Sequence, residues 1–166
     1  VMCWIAAVYT LAGQYQVLRP REISWPHAAA CIVGGLGSIW ANYAADAQRQ
    51  RVRATGGATT VWGKAPEIIR ARYTTADGEE HESLLLASGY WGVARHFHYV
   101  PEIVLALAWS LPAGLGHFVP YFYVTFLTIL LLDRSVRDDK RCRLKYGADW
   151  DAYCARVRWK VIPGIF

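Results

Sequence analysis

The chain has 166 residues, 54% of them hydrophobic and 19% charged, with a net charge of +5. It is richer in apolar residues and poorer in charge than an average soluble domain. Its charge is segregated: residues 100–132 hold one acid, Glu102, and no Lys or Arg, whereas residues 133–166 hold nine Lys or Arg and five Asp. A nucleic-acid binder carries a basic stripe on a polar domain, so this pattern argues against that class. It favours charge that flanks a membrane or meets an anionic ligand. Eight Trp and ten Tyr suit a membrane–water interface, where a ring buries its body and keeps one polar atom wet. Cys3, Cys31, Cys142 and Cys154 form no CxxC and no close framework, so reduced thiols are expected rather than a disulfide-stapled secreted module.

In chain order, Val1 to Gly13 is apolar and reads as the end of a membrane helix that begins before the chain does. Gln14 to Pro26 is a polar connection. His27 to Ala45 has no Lys, Arg, Asp or Glu, and at about 1.5 Å per residue its length roughly crosses a hydrocarbon core. Asp46 to Tyr99 is mixed. It opens on a helix-like basic run, Arg49, Arg51 and Arg53, and breaks at Gly56-Gly57. Thr59–Trp62 and Ile68–Tyr73 alternate like short strands, and Ala76-Asp77-Gly78 is a turn signal, so a small hairpin-like excursion outside the bilayer is predicted.

Val100 to Leu132 is apolar but interrupted by Pro112, Gly114, Gly116, His117 and Pro120. Two helical limbs joined near residues 113–116 are expected to form a membrane hairpin, favoured by the charge pattern over a single long kinked helix. That places the arginine-rich segments 49–53 and 134–145 on one side, which the positive-inside rule makes cytoplasmic. Asp133 to Tyr146 reads as a helix ended by Gly147, and Asp149 caps a second short helix through Val157. The predicted fold is an all-α polytopic membrane protein. It comprises membrane helices over 1–45, a cytoplasmic or interfacial segment over 46–99, a membrane hairpin over 100–132 and a cytoplasmic helical tail over 133–166.

Three clusters carry chemistry. Asp138, Cys142 and Tyr146 are spaced i, i+4, i+8 on one helix face, flanked by Arg141 and Lys145 and followed by Tyr153. A carboxylate, cations and phenols suit a ligand with hydroxyls and phosphates, because the Arg fork reads phosphate well. The same pattern also describes a solvated amphipathic helix. Gly89 to Tyr99 packs rings, two histidines and Arg95 before a membrane segment. It suits either a planar ligand or an interfacial aromatic belt. Arg49, Arg51 and Arg53 read alone as positive-inside charge. His96 and His98 lack Cys or carboxylate partners at ligand spacing, so no metal site is expected. His117 is a polar residue in an apolar setting, a functional candidate if it lies in the membrane and a water-facing residue if it lies at the turn. No GxGxxG after a strand, GxxxxGK[ST] or GxSxG is present.

Several long motifs stand in order. They are Trp62-Gly63-Lys64-x-Pro66, Tyr73-Thr74-x-Ala76-Asp77-Gly78, Ser88-Gly89-Tyr90-Trp91-Gly92-Val93-Ala94-Arg95-His96-Phe97-x-Tyr99, Gly116-His117-x-x-Pro120-Tyr121-Phe122-Tyr123, Arg137-Asp138-x-x-Arg141-Cys142-x-x-Lys145-Tyr146-Gly147-x-Asp149-Trp150 and Pro163-Gly164-Ile165-Phe166. Together they resemble the C-terminal part of the sterol C7/C14/C24 reductase family. The Trp62–Gly78 excursion, Phe97 where the C14 branch has Pro, and the Gly164-Ile165-Phe166 ending resemble the C7 branch. His98 departs from the Asn usual in both branches.

The resemblance implies a multi-span endoplasmic reticulum enzyme that uses NADPH to reduce the C7–C8 double bond of a 5,7-diene sterol in sterol biosynthesis. It implies cofactor contacts at Arg49, Arg53, Leu86, Trp91, His98, Tyr99, Asp138, Cys142, Arg143, Leu144, Lys145, Tyr146 and Tyr153. Tyr146 and Tyr153 are candidate proton donors. The partners implied are a sterol and the lipid bilayer. C14 reduction is the sister activity. An isoprenylcysteine-type methyltransferase using S-adenosylmethionine is a fainter resemblance, through an Arg-His-x-x-Tyr element and the tail Tyr146-Gly-x-x-Trp-x-x-Tyr153. A sterol-binding scaffold without turnover is the non-enzymatic rival.

Overall fold

The structure, a computed structural model, describes residues 2–75 and 77–166, with side chains from residue 7 onward. Helix α1 (Met2–Leu18) is followed by α2 (Trp25–Ala54), then the strands β1 (Ile68–Thr74) and β2 (Glu80–Leu86). Helices α3 (Tyr90–Val93), α4 (Tyr99–Ser110), α5 (Phe122–Tyr146) and α6 (Ala148–Arg156) complete the chain, with short 3-10 turns at Leu111–Ala113 and Val119–Tyr121. The chain divides into two compact units, one of Val1–Asn42 with Pro101–Leu131 and one of Tyr43–Val100 with Leu132–Phe166.

In the first unit, α1 runs through Gln14–Leu18 and so takes in the start of the predicted polar connection. Gln16 extends the helix and donates from Nε2 to the carbonyl of Trp109 at 2.8 Å. The Trp109 ring stacks on Tyr123 at 5.7 Å, and Tyr9 meets Tyr123 at 4.5 Å. Gly35 faces Leu105 and Ala108, where a Cβ would sit at ordinary contact distance. His117 lies in the exposed loop between the 3-10 turns, with Arg19 Nη1 3.5 Å from its Nε2, so it is a turn residue rather than one buried in an apolar segment.

Two stretches are long and apolar enough to cross a membrane, Trp25–Ala54 and Val119–Tyr146, and only 17% and 28% of their most apolar windows are buried. Ile32, Val33, Leu36 and Trp40 on α2, and Phe126, Ile129 and Leu130 on α5, are exposed. A soluble core helix would bury such side chains. Both helices outrun the predicted boundaries. α2 carries the basic run Arg49–Arg53 in its last turns, and α5 continues unbroken from the apolar limb through the basic block. No Gly or Pro stands between Phe122 and Tyr146 to stop it. α2 stops where Gly56 and Gly57 take φ values of +59° and +93°, and the Gly57 N–H returns to the carbonyl of Val52 at 2.9 Å.

In the second unit the strands differ from the predicted pair. Thr59–Trp62 is not a strand. Trp62 and Gly63 adopt φ values of +50° and +77°, and Val61 bridges Lys64 across that tight turn. Instead β1 pairs antiparallel with β2, from Ile68 opposite Leu86 to Thr74 opposite Glu80. The fold is therefore mostly helical with a small sheet rather than all-α. Ala76 of the predicted turn lies outside the described residues, and Gly78 donates to the Thr75 carbonyl at 3.0 Å, as a reversal requires. Asp149 does not cap α6, whose N-cap is Gly147 at φ +55°. The Asp149 carboxylate accepts from the backbone N–H of Arg72 at 3.1 Å, tying α6 to the outer edge of β1. Glu67 and Arg156 add a second tie, including Nη2 to Oε2 at 2.7 Å. Ala71, Leu85, Ala87, Trp150, Tyr153 and Val157 form the buried core between sheet and helix.

Gly89 sits at φ +63°, and a Cβ there would strike the side-chain oxygen of Gln48 and stand 2.6 Å from Val61 Cγ1. That Gln48 oxygen accepts the Tyr90 N–H at 3.0 Å and so sets the start of α3. Gly89→Ala is expected to cost about 2–3 kcal/mol of stability. Gly13→Ala, in a helix with open space at the Cβ, is expected to be neutral or mildly stabilising. Denaturation midpoints of the intact protein in detergent check the contrast.

Candidate cofactor cleft

The polar chemistry of the second unit converges on a cleft of about 320 Å³, within the size range of small-molecule sites. The last turns of α2 supply Arg49 and Arg53, and β2 ends on it with Leu85 and Leu86. The segment from α3 to the start of α4 contributes Trp91, Arg95, His96, His98 and Tyr99. α5 contributes Arg134, Asp138, Cys142 and Tyr146, and α6 contributes Trp150 and Tyr153. The first unit has a larger groove of about 780 Å³ beside α1 and Trp109. Its lining is mostly apolar and gathers no charged groups, so the candidate chemistry belongs to the smaller cleft.

Each wall has a local cause. Trp91 is buried and donates from Nε1 to the Ala45 carbonyl at 2.8 Å. Its ring carries the Arg49 guanidinium 4.0 Å from the centroid, while Arg49 Nη2 donates to Asp46 at 2.8 Å. A cation held over a ring and by a carboxylate is oriented before any ligand arrives. Tyr153 is buried, and its hydroxyl donates to the Trp91 carbonyl at 3.4 Å. Burial pushes the Tyr153 phenol up, so it stays protonated at neutral pH. Arg134 and Asp138 pair at 3.7 Å along α5, leaving a cation and a carboxylate together at the cleft.

The structure brings together Arg49, Arg53, Leu86, Trp91, His98, Tyr99, Asp138, Cys142, Tyr146 and Tyr153. It does not bring Arg143, Leu144 and Lys145 into that lining. Arg143 donates to Asp151 at 2.9 Å, Leu144 is 89% exposed, and the Lys145 ammonium lies 3.7 Å from the Tyr73 ring centroid. These three follow Cys142 within one turn, and successive helical residues point about 100° apart, so they leave the face that Asp138, Cys142 and Tyr146 share. Leu85, Arg95, His96, Arg134 and Trp150 line the cleft in addition. Arg134 was legible as the residue one turn before Asp138; Trp150 had no signal beyond its place in a motif.

Arg95 is buried and donates from Nη1 to the carbonyls of Val157 at 2.6 Å and Arg158 at 3.1 Å, while Nη2 stands 3.5 Å from Asp139. Arg95 Nε, His96 Nε2 and His98 Nδ1 are buried without a hydrogen-bond partner among the described residues. Buried polar atoms seldom stay unpaired, so three such atoms in a cleft that also holds Arg49, Arg53, Arg134 and Asp138 fit a polar, partly anionic ligand. Among the described residues no three His, Cys, Asp or Glu side chains gather to hold a metal ion. Cys31, Cys142 and Cys154 are free thiols.

The sequence model of the "Ergosterol biosynthesis ERG4/ERG24 family" matches residues 1–166. The chain belongs to this family. A 7-dehydrocholesterol reductase from Arabidopsis thaliana is 52% identical over 165 residues, 99% of the chain, and one from Danio rerio is 42% identical over 98% of it. A Delta(14)-sterol reductase from Methylotuvimicrobium alcaliphilum is 36% identical over 99% of it. The matched stretch is 38%, 34% and 36% of those three proteins, so the chain spans about a third of their length. The family membership agrees with the resemblance read from the ordered motifs.

His96 and His98 are both lowered from 6.5 to about 4, first by burial. For His98 the neighbouring His96 and Arg49 add to the effect; for His96 Asp138 partly offsets it. The unfolded chain takes up these protons near pH 6.5 and the folded chain only near pH 4. Stability therefore falls as pH drops through that window and is fully present above it. The double variant His96→Gln, His98→Asn is expected to flatten this dependence. Thermal denaturation at about pH 7 and about pH 5 reads it; an unchanged slope in the variant would count against neutral buried histidines.

Proposed function

We propose that the protein carrying this chain is a membrane-bound, NADPH-dependent reductase of the C7–C8 double bond of a 5,7-diene sterol. The observation that carries the reading is the 52% identity to a 7-dehydrocholesterol reductase across nearly the whole chain. Arginines from the last turns of α2 and from the middle of α5 meeting at one cleft give it a physical basis. Arginine-rich helix ends beside apolar spans favour a cytoplasmic cofactor site on the endoplasmic reticulum membrane.

Arg49, Arg53 and Arg134 are suited to hold phosphates, and Asp138 to accept hydrogen bonds from a ribose or amide. His98, neutral, offers its Nδ1 to a polar group. Trp91 and Tyr99, both buried, flank His98 at ring distances of 5.2 and 4.4 Å, and the three present aromatic surface to the cleft. When bound, NADPH supplies the hydride. Tyr146 and Tyr153 both line the cleft and are the candidate proton donors; the Tyr153 hydroxyl, held protonated by burial, donates to the Trp91 carbonyl. The buried aromatic walls keep water from a cationic sterol. Arg143, Leu144 and Lys145 serve, on this reading, at the rim.

C14 reduction is the second reading, supported by the 36% identical Delta(14)-sterol reductase. Family membership over residues 1–166 weighs against the methyltransferase. Intact protein incubated with NADPH and a 5,7-diene sterol is expected to lose the diene's ultraviolet absorption. Turnover of a C14 double bond alone would move the protein to the sister branch. NADPH binding without turnover of either sterol would favour the scaffold. Asp138→Ala is expected to weaken NADPH binding about tenfold or more, and calorimetric titration measures it; unchanged affinity would contradict the cleft assignment.

A further inference from the structure

The geometry points to Tyr73, on the β1–β2 hairpin, as a positioning residue for the cofactor cleft that acts through Tyr146 and Lys145 of α5. The inference rests on the reading that the cleft takes NADPH.

Tyr73 does not line the cleft, but its ring meets Tyr146, which does, edge-on at 5.6 Å and 88°. Tyr146 in turn stacks on Trp150 at 6.3 Å, and Trp150 meets Tyr153 at 5.2 Å, so the hairpin is joined to the cleft by a continuous series of rings. The Lys145 ammonium stands 3.7 Å from the Tyr73 centroid and 5.2 Å from that of Tyr146. A cation that close to an aromatic face is held there electrostatically. His81, the cross-strand partner of Tyr73, stacks on the same ring at 5.6 Å. Tyr73 therefore fixes the direction of two adjacent α5 side chains. One forms the cleft wall, and the other is a positive charge one residue away from it.

The hairpin is built to keep Tyr73 in that place. Side chains alternate along a strand, and β1 turns Ile69, Ala71 and Tyr73 to the face that packs on α5 and α6. A register slip of one residue would turn Tyr73 away. The Asp149 carboxylate on the Arg72 N–H ties the backbone next to Tyr73 to α6, and Gly147 joins α6 to the end of α5. Strand, ring and cleft wall are therefore referenced to the same short segment. This gives the hairpin a role at the site although none of the described residues among 73–81 touches the cleft.

The test uses intact protein and direct NADPH titration by calorimetry, with Tyr73→Leu and Tyr73→Phe. Leu keeps bulk and strand packing but removes the ring; Phe keeps the ring. Tyr73→Leu is expected to weaken NADPH binding about tenfold, the combined worth of one ring pair and one cation–π contact. Its KM for sterol should stay within about twofold, and Tyr73→Phe should bind NADPH within about twofold of the parent. Three results would overturn the inference: Tyr73→Leu binding NADPH like the parent, Tyr73→Phe as weak as Tyr73→Leu, or Tyr73→Leu losing NADPH and sterol affinity alike. Asp138→Ala run beside them separates the two claims. If it leaves NADPH binding intact, the cleft reading fails. If it weakens binding and Tyr73→Leu does not, only the role of Tyr73 fails.

Discussion

The cleft depends on one buried charge pair. Arg95 and Asp139 lie in the interior with side chains 6% and 14% exposed. Removing two charges from water is costly, and their attraction offsets that cost only when other hydrogen bonds satisfy them. Here Arg95 also holds two carbonyls of the segment after α6. Asp139 receives the Trp150 indole N–H at 3.2 Å and the Cys154 thiol at 3.8 Å, and stands 3.9 Å from the Lys160 ammonium. Backbone bonds from Arg95 to Trp159 and from His96 to Lys160, at 3.0 and 2.7 Å, run beside it. Three segments distant in sequence are closed around one pair, and removing one partner of such a pair typically costs about 3–5 kcal/mol.

The geometry of the site follows from that closure. Arg95 fixes the segment that carries His96, His98 and Tyr99, and Asp139 fixes Trp150 against the same helix that presents Asp138 and Tyr146. Two adjacent acids on α5 thus have different tasks. Asp139 turns inward to the buried pair, while Asp138 faces the cleft with Arg134. The hairpin braces the far end through Tyr73 and the ties at Asp149 and Glu67.

Much of this was legible in the sequence, for physical reasons. Charge segregation located the basic block, and the i, i+4, i+8 spacing of Asp138, Cys142 and Tyr146 identified the face that now lines the cleft. The break at Gly56-Gly57 was readable because only glycine enters that backbone region cheaply. Other features were not. The pairing strand Glu80–Leu86 does not alternate, since its first half is polar and its second half apolar on both faces. Thr59–Trp62 has strand-like residues, but Trp62 occupies a left-handed position that its side chain disfavours. Asp149 looked like a helix cap and instead serves a strand edge, a long-range contact no local pattern encodes. Arg95 was visible as a cation among rings, but its ion pair with Asp139 is a tertiary fact. The placement of Arg143, Leu144 and Lys145 follows from helical phase, which motif resemblance alone does not resolve.

On the proposed function, a cleft closed by the Arg95–Asp139 pair receives NADPH. A structure of the intact protein with NADPH bound tests it most directly. Dinucleotide density is expected along Arg49, Trp91, Asp138 and Tyr146, with the Arg95–Asp139 contact intact. Dinucleotide density elsewhere on the protein, with these side chains unengaged, would contradict it.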